Sequence, residues 1–394
     1  MQETPSIIQE RYDAIVVGAR CAGAATAMLL ARLGLSVLLI DRDRHGADTL
    51  STLALMRAGV LQLHRWGLLD RIVAAGTPPI TRTSFIYGDE TITVPIKSRN
   101  GVDALYAPRR TVIDAMLAGA AAESGVEVAH GARLLDLERN AEGRVVAARI
   151  EPKGGAARRV GAGIMIGADG RRSTVARLVE ARTERSRPDA CGVVYGFFPG
   201  LENDRSRWYY APRIAAGSIP TNNGNACVFL SMPPARFHGE VRADMDAGYR
   251  RGLAECTAEL AGEVADKEPS EPLRGFPGEP GYIRQSHGPG WALVGDAGYF
   301  KDPITAHGIS DALRDAELLA RAVVRGTDDA LAGYQTTRDE LSRDLFEITH
   351  DIAGFGWRMD DLKPLHLQLS HSMNREVEAL LGLDAPVPHA GRTP

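Results

Sequence analysis

The stretch that most constrains the fold is YDAIVVGARCAGAATAMLLARLGLSVLLID, residues 12–41. A β-rich run over 14–17 ends at Gly18, and a helix rich in small residues follows over about 22–33. Gly34 stands where helices favour a left-handed cap, and LSVLLI then predicts a second buried strand that ends at Asp41. Strand, glycine turn, helix, strand and acid in this order predict a parallel βαβ unit.

This unit has the parts that a dinucleotide site needs. Gly18 makes the tight turn, the N–H groups at the helix start face a pyrophosphate, and Gly23 lets helix and strand approach each other. Asp41, about 20 residues further on, can accept hydrogen bonds from ribose hydroxyls. Arg20 breaks the GxGxxG pattern, so its side chain either crowds the phosphates or binds them. Cys21 is either a small packing residue or a thiol beside the cofactor, and a βαβ unit without a nucleotide is the alternative.

Composition excludes several classes of protein. The 394 residues favour two interleaved units with a sizeable core, at 44% hydrophobic and 24% charged residues. A formal net charge of -4 without a long basic block argues against nucleic acid, and no apolar run is long enough to span a membrane. The N-terminus shows no secretory signal, which favours the cytoplasm. The four cysteines are far apart and lack metal-ligand spacing, so we expect reduced thiols and no metal.

Three later stretches distinguish between dinucleotides. LMRAGVLQLHRWGLLDRI predicts an amphipathic helix from about Gly59, with Arg57 at its start. AGIMIGADGRRSTVARLV places a buried strand, 164–166, before a glycine turn that holds Asp169. WALVGDAGYFKDPITAHG ends a strand, 292–294, with an acid, Asp296. In these stretches the chain resembles the flavoprotein monooxygenases of the para-hydroxybenzoate hydroxylase type.

The resemblance implies FAD as the cofactor and roles for individual residues. Arg57 would reach the pyrophosphate, with a surface arginine as the alternative, and Asp169 would be linked to the flavin and nicotinamide sites. Asp296 would accept hydrogen bonds from the ribityl chain. Gly308 would open a helix whose N–H groups face the N1 and C2 carbonyl edge of the ring, where a positive dipole stabilises the negative charge of the reduced flavin.

The loop before that helix would arch over the isoalloxazine as far as Pro303. His307 would either donate a hydrogen bond at the ring edge or merely cap the turn. Lys301 and Asp302 would either shape the outer face of the flavin or be solvated loop charges.

A further motif, RTVIDAML, resembles the family's RxxLxxxL arginine, which fits Arg110, with Arg109 as the alternative. No obligatory catalytic side chain can be named. Pro303 and His307 are the candidates because they would lie near the flavin ring. The complete set of cofactor-binding candidates is Gly18, Arg20, Cys21, Ala22, Gly23, Asp41, Arg42, Arg57, Arg110, Asp169, Gly295, Asp296, Pro303, His307, Gly308 and Ile309.

The resemblance predicts an α/β fold in which a Rossmann-type FAD domain with a parallel sheet is interrupted by a mainly antiparallel substrate domain. The FAD domain would take residues 1–80, 103–182 and 284–327, the substrate domain 81–102 and 183–283, and a C-terminal helical region 328–394. Residues 81–96 read as a hairpin, residues 190–232 as several short strands, and 385–394 as a loose tail. Aromatic residues gather in the substrate part, where they either line a cavity or pack the core: Tyr87, Phe197, Phe198, Trp208, Tyr209, Tyr210 and Phe229.

The leading hypothesis is a monooxygenase that uses FAD, NAD(P)H and O2 on a small hydrophobic or aromatic substrate. GDAGYFKDPITAHG departs from the GDAAH and PxxGxG pattern of aromatic hydroxylases and leans towards halogenases and geranylgeranyl reductases. A halogenase would need a lysine after the first motif, yet 1–96 contain none and WxWxIP is missing. A flavin-dependent reductase and a non-catalytic FAD-binding module also fit the sequence. Substrate identity and oligomeric state stay open.

Overall fold

The computed structural model describes residues 9–51, 53–202 and 204–383. The predicted tail, 385–394, lies outside these residues. The strands are β1 (Arg11–Val17), β2 (Val37–Asp41), β3 (Arg82–Tyr87), β4 (Glu90–Pro95), β5 (Glu127–His130), β6 (Ala132–Arg139), β7 (Val145–Pro152), β8 (Arg158–Gly167), β9 (Thr183–Arg187), β10 (Gly192–Pro199), β11 (Arg205–Ala211), β12 (Ile214–Pro220), β13 (Asn225–Met232), β14 (Arg274–Phe276), β15 (Gly281–Arg284), β16 (His287–Gly288), β17 (Trp291–Leu293) and β18 (Tyr299–Phe300). The helices are α1 (Cys21–Arg32), α2 (Arg57–Arg65), α3 (Leu69–Ala74), α4 (Arg110–Glu123), α5 (Thr174–Leu178), α6 (Pro234–Arg236), α7 (Met245–Cys256), α8 (Ala258–Val264), α9 (Gly308–Arg325), α10 (Asp328–Ala353) and α11 (Met359–Leu381).

The first sheet brings the three glycine turns to one edge. Its strand order is β16-β17-β8-β1-β2-β5, in which β17, β8, β1, β2 and β5 run parallel to one another and β16 is antiparallel to β17. Val17, at the end of β1, is in register with Gly167 of β8, which is in register with Leu293 of β17. Because the carboxyl ends of parallel strands meet at one edge, the turns after these residues lie side by side.

The second sheet contains the aromatic residues of the substrate part, and its two faces divide them. The strand order is β14-β10-β13-β12-β11-β3-β4, and every pair except β11 with β3 is antiparallel. Side chains alternate between faces along a strand. Five of the seven predicted aromatic residues share one apolar cluster, which we call the inner face: Tyr87, Phe197, Trp208, Tyr210 and Phe229. Phe198 and Tyr209 pack instead with α7 and α8 on the outer face, so they belong to a separate core.

The C-terminal helices α10 and α11 place apolar side chains in the core. Leu345 and Ile352 of α10 and Leu362 and Leu369 of α11 join the inner-face cluster. This part of the chain therefore closes the core around the second sheet. Within the described ranges, no helix is both long and apolar enough to cross a membrane.

The predicted α/β fold is confirmed, with a parallel-stranded sheet, antiparallel sheets and C-terminal helices.

Two glycines make the first turn, between β1 and α1, possible. Gly18 has a φ of +106°, and a Cβ on it would meet the backbone of Ala168. A Cβ on Gly23 would overlap the carbonyl oxygen of Gly18, so α1 packs against its own turn without space for a side chain.

We expect Gly23→Ala to destabilise the fold severely, because the methyl group would force the first turn away from α1. Gly119→Ala in α4 is the matched control, since a Cβ there would meet nothing within 4 Å and alanine favours a helix by about 1 kcal/mol. Thermal unfolding checks the pair. Equal midpoints for the two variants would contradict the close packing at Gly23.

Candidate cofactor site

An acid from another helix lies at the start of α1. The Cys21 backbone N–H donates to Asp114 Oδ1 at 3.1 Å, and the Cys21 thiol lies 3.0 Å from the same oxygen. Burial, and then the charge of Asp114, raises the pKa of Cys21 well above its usual range. Cys21 is therefore a neutral hydrogen-bonding thiol and lacks the thiolate character of a reactive cysteine.

Two arginines surround this helix start. Arg110 binds Asp114 through two nitrogens, at 3.0 and 3.1 Å, and Arg20 binds Asp43 at 3.0 Å and approaches Asp114 at 3.8 Å. The Arg20 Nη1 atom is buried and has no hydrogen-bond partner in the described chain. An unpaired buried donor beside a helix N-terminus is suited to an anion such as a pyrophosphate.

The structure places Arg110 and its alternative, Arg109, in different surroundings. Arg109 points to the second sheet, where its guanidinium lies 3.6 Å above the Phe197 ring and 2.7 Å from Glu271. Arg110, next in the chain, lies with Asp114 and Cys21 at the α1 start. The geometry thus favours Arg110 as the cofactor-side arginine.

Asp41 closes the turn at the end of β2. Its carboxylate accepts the N–H of Ala19 at 2.7 Å and of Asp43 at 2.8 Å. A narrow cleft next to it is lined by Asp41, Asp43 and Arg44, among others. Arg42 is exposed and does not line this cleft, so the structure gives its predicted contact no support.

Asp169 caps the helix that follows its turn. Its carboxylate accepts hydrogen bonds from the Ser173 hydroxyl and from the Thr174 N–H at 2.6 Å. Burial raises the pKa of Asp169, although these hydrogen bonds oppose the shift. Its predicted link to the flavin and nicotinamide sites stays a prediction.

Asp296 is the acid at this edge whose carboxylate has no donor among the described residues. Gly295, with a φ of +60°, packs so closely on α1 that a Cβ would come within 2.8 Å of Ala22. Asp296 is half-buried, and burial raises its pKa, against the opposing charges of Arg171 and Arg110. An unpaired carboxylate here can accept hydrogen bonds from sugar hydroxyls.

Arg57 lies at the start of α2, as predicted, but its guanidinium binds protein groups. It donates to the carbonyl oxygens of Lys97 at 2.7 Å and Val102 at 3.2 Å. These residues follow the β3–β4 hairpin. The contact of Arg57 with a pyrophosphate therefore stays a prediction.

The loop from Tyr299 to His307 leads to the start of α9. Ala306 has a left-handed φ of 50°, and α9 begins at Gly308, as the sequence predicted. Pro303 is partly exposed and Gly308 is exposed, whereas Ile304, Ala306 and Ile309 are buried. Pro303 in this loop and Gly308 at the start of α9 are thus the accessible residues of the segment 303–309.

The interpretation of Lys301 and Asp302 as solvated loop charges is wrong, because both are buried. Asp302 accepts the N–H groups of Cys191 at 2.7 Å and Ile304 at 2.9 Å, and burial raises its pKa to about 6. Lys301 binds Asp311 of α9. The buried contacts of Lys301 and Asp302 therefore hold the loop in place.

His307 does not cap α9 through its side chain. The ring is buried, and Nε2 lies 2.6 Å from Glu376 Oε2 on α11. Sequence reasoning missed Glu376 and Asp114. One pattern in the sequence could have indicated Glu376. It is an acid at helical spacing from Leu369, Ser372 and Leu380, which form the buried face of α11.

Comparison with known proteins identifies the family. The chain belongs to the FAD binding domain family, which matches residues 11–349. It is similar to digeranylgeranylglycerophospholipid reductase 1 of Methanopyrus kandleri, at 29% identity over 374 residues, which cover 87% of this chain and 90% of that protein. The suspected superfamily, the cofactor FAD and the class of oxidoreductase are thereby confirmed.

Solved structures share the fold. The flavin-dependent brominase Bmp2 has a TM-score of 0.79 and 21% identity, covering 96% of this chain and 97% of that one. PqsL of P. aeruginosa in complex with 2-aminobenzoylacetate has a TM-score of 0.76 and 22% identity, covering 92% and 100%. At these identities, the likeness shows the architecture alone.

We expect Asp296→Ala to fold and to bind FAD on the order of 10 to 100 times more weakly, because a hydrogen bond to a charged group contributes about 1.5–3 kcal/mol. Titration of the FAD-free protein with FAD, followed by fluorescence, measures the change. Asp136→Ala, which removes an exposed acid on β6, should leave the affinity unchanged. An FAD affinity of Asp296→Ala equal to that of the wild type would refute the role of this carboxylate.

Proposed function

We propose that this protein is an FAD-dependent monooxygenase that uses NAD(P)H and O2 on a small hydrophobic or aromatic substrate. One observation carries the proposal. Phe300, Ile304 and Ala306 of the loop before α9 share one cluster with Tyr87 and Tyr210 of the inner face. The loop on which the flavin ring is expected thus packs into the same apolar cluster as the inner-face aromatic residues, and apolar aromatic linings suit apolar ligands.

The residues present fit FAD at both ends. The α1 start, Arg20 and Arg110 would hold the pyrophosphate, and Asp296 would hold the ribityl chain. The α9 start at Gly308 would face the ring edge. Bound FAD supplies the redox chemistry, accepting a hydride and passing electrons to oxygen. The protein would bind and orient FAD and the substrate and would shield the reacting atoms from water.

Asp302 has a positioning task in this proposal. By accepting the N–H of Cys191 in the segment before β10 and of Ile304 in the loop, it fixes the loop against the second sheet. The distance between the ring and the inner face would depend on this contact. Buried aromatic side chains on the same face would exclude water from the reacting atoms.

A cleft of about 500 Å³ offers a route for the substrate. It is lined by Asp189, His350, Trp357 and Leu365, among others. The Trp357 ring meets Tyr210 of the inner face at 6.4 Å between centroids. We propose this cleft, between β9 and the α10–α11 turn, as the approach to the aromatic cluster.

A flavin-dependent reductase is the second candidate, and a specific observation favours it. The relative from Methanopyrus kandleri, which matches this chain along most of its length, is a lipid reductase. A reductase needs the same FAD site and an apolar surface for its substrate, so the two functions differ in where the electrons go. The halogenase hypothesis rests on the shared fold alone, since the brominase Bmp2 is only 21% identical to this chain.

Oxygen uptake separates the two candidates. We expect FAD-loaded protein with NADPH to consume O2 faster when an accepted aromatic compound is added from a panel that includes phenol and indole. With ¹⁸O2, the product should carry one labelled oxygen atom. NADPH oxidation by geranylgeraniol, with O2 consumption at background, would instead establish the reductase.

A pair of adjacent tyrosines on β11 tests the inner face. Tyr210→Leu should raise the KM of an accepted compound by about 10-fold or more, because lost apolar contact in a pocket is worth about 1–3 kcal/mol. Tyr209→Leu removes a buried ring from the outer face and should leave that KM unchanged. Both variants are compared at equal FAD content. The same KM for both would contradict the assignment of the faces.

A further inference from the structure

Six titratable side chains are packed out of solvent contact behind the start of α9. None of these side chains is more than 5% exposed. They come from the loop, from α9 and from α11. We call them the buried charge cluster: Lys301, His307, Asp311, Arg314, Asp315 and Glu376.

Glu376 links the two ends of this cluster. Its Oε2 lies 2.6 Å from His307 Nε2, and its Oε1 accepts from Arg314 Nη1 at 2.9 Å. The same Arg314 nitrogen donates to Asp311 at 3.0 Å, and Asp311 also binds Lys301. A residue of α11 thus holds the imidazole that directly precedes the start of α9.

Arg314 is held on its other side as well. Its guanidinium binds Asp315 at 2.7 and 2.8 Å and Ser342 of α10 at 2.8 Å. Among the described residues, the titratable groups outside the cluster that interact electrostatically with its members are Tyr299, Tyr334, Asp296 and Asp339. Three helices therefore meet at this one guanidinium.

The charges of the cluster leave room for one more proton. Lys301 and Arg314 contribute two positive charges, and Asp311, Asp315 and Glu376 contribute three negative charges, which leaves one negative charge. A protonated His307 would cancel it. The His307 Nδ1 atom is buried and lacks a hydrogen-bond partner in the part of the chain described here.

Burial weakens the hold on the protons of the two basic groups. It lowers the pKa of Lys301 to about 7, and it lowers the pKa of His307 against the opposing charge of Glu376. Burial would raise the pKa of Glu376, but the charges of His307 and Arg314 outweigh it and bring this pKa to about 2. Glu376 is thus ionised at neutral pH, while Lys301 and His307 can exchange protons.

The cluster is not suited to a metal ion. Ligand atoms of His307, Asp311 and Glu376 lie within 4.8 Å of one another. Both carboxylates, however, already bind the cations Lys301 and Arg314. A further cation would add to two positive charges, whereas a nearby negative charge would be stabilised by a proton taken up here.

We propose that Glu376 is a positioning residue that holds His307 so that the buried charge cluster takes up one proton when negative charge arrives at the start of α9. The inference rests on the proposed placement of the FAD ring edge at that helix start. Two-electron reduction then takes one proton from solvent at the ring and a second proton at His307, which Glu376 holds. The electrons come from NAD(P)H in the enzyme and from the titrant in the test below.

The test is the pH dependence of the FAD midpoint potential in the holoenzyme, measured by reductive titration against reference dyes. For a two-electron couple, each proton taken up contributes about 30 mV per pH unit. We expect the wild type to show about 60 mV per pH unit above pH ~7, where the basic groups of the oxidised cluster have lost a proton. Glu376→Gln should lower the slope towards about 30 mV per pH unit.

The variants separate this role from a purely structural one. Glu376→Asp should restore the steep slope, and Glu378→Gln, an exposed neighbour on α11, should leave it unchanged. His307→Gln should flatten the slope while leaving the Arg314 contacts in place, so it serves if Glu376→Gln does not fold. The absorption of the reduced flavin should stay independent of pH, because the second proton is on the protein.

Three outcomes would overturn the inference. They are a wild-type slope of about 30 mV per pH unit, an unchanged slope in both Glu376→Gln and His307→Gln, and a reduced-flavin spectrum that titrates together with the slope. Each of these requires bound FAD and leaves the cofactor placement intact. A protein that binds no FAD would instead overturn the proposed function together with this inference.

Discussion

The contact between two glycine-containing turns is the constraint on which the rest of the site depends. Gly18 has no space for a Cβ because Ala168 of the second turn lies against it, and a Cβ on Gly295 would come within 2.8 Å of Ala22 of α1. The parallel register of β1, β8 and β17 makes these approaches possible. A helix start, two arginines and an acid thereby reach one edge of the sheet.

Features that depend on local sequence could be predicted. The βαβ unit, the start of α9 at Gly308 and the β3–β4 hairpin each follow from short patterns of glycine, apolar and turn residues. The convergence of the three turns follows from the parallel pairing of β1, β8 and β17, whose carboxyl ends lie together. Such patterns do not show which helices pack on each face of a sheet. Phe198 and Tyr209 were therefore grouped with the inner-face residues, although they lie on the opposite face.

Partners that are distant in the chain could not be predicted. Asp114 lies 93 positions from Cys21, and Glu376 lies 69 positions from His307. A charged residue looks the same in the sequence whether it is solvated or paired inside the core, and Lys301 was misplaced for this reason. The structure shows that its neutralising acid, Asp311, is on the next helix.

The two helix starts at this edge differ in what supports them, and this difference bears on function. At α1, Asp114 contacts the N–H of Cys21 and Arg20 and Arg110 add charge directly, which suits a permanent anion. At α9 the exposed residue of the helix start is Gly308, while the ionisable groups lie behind it, buried and with charges that nearly balance. A balanced cluster can respond to a charge that comes and goes, and a ring that alternates between oxidised and reduced states presents such a charge. A monooxygenase and a reductase both present such a charge, so the cluster does not distinguish between them, and the destination of the electrons does.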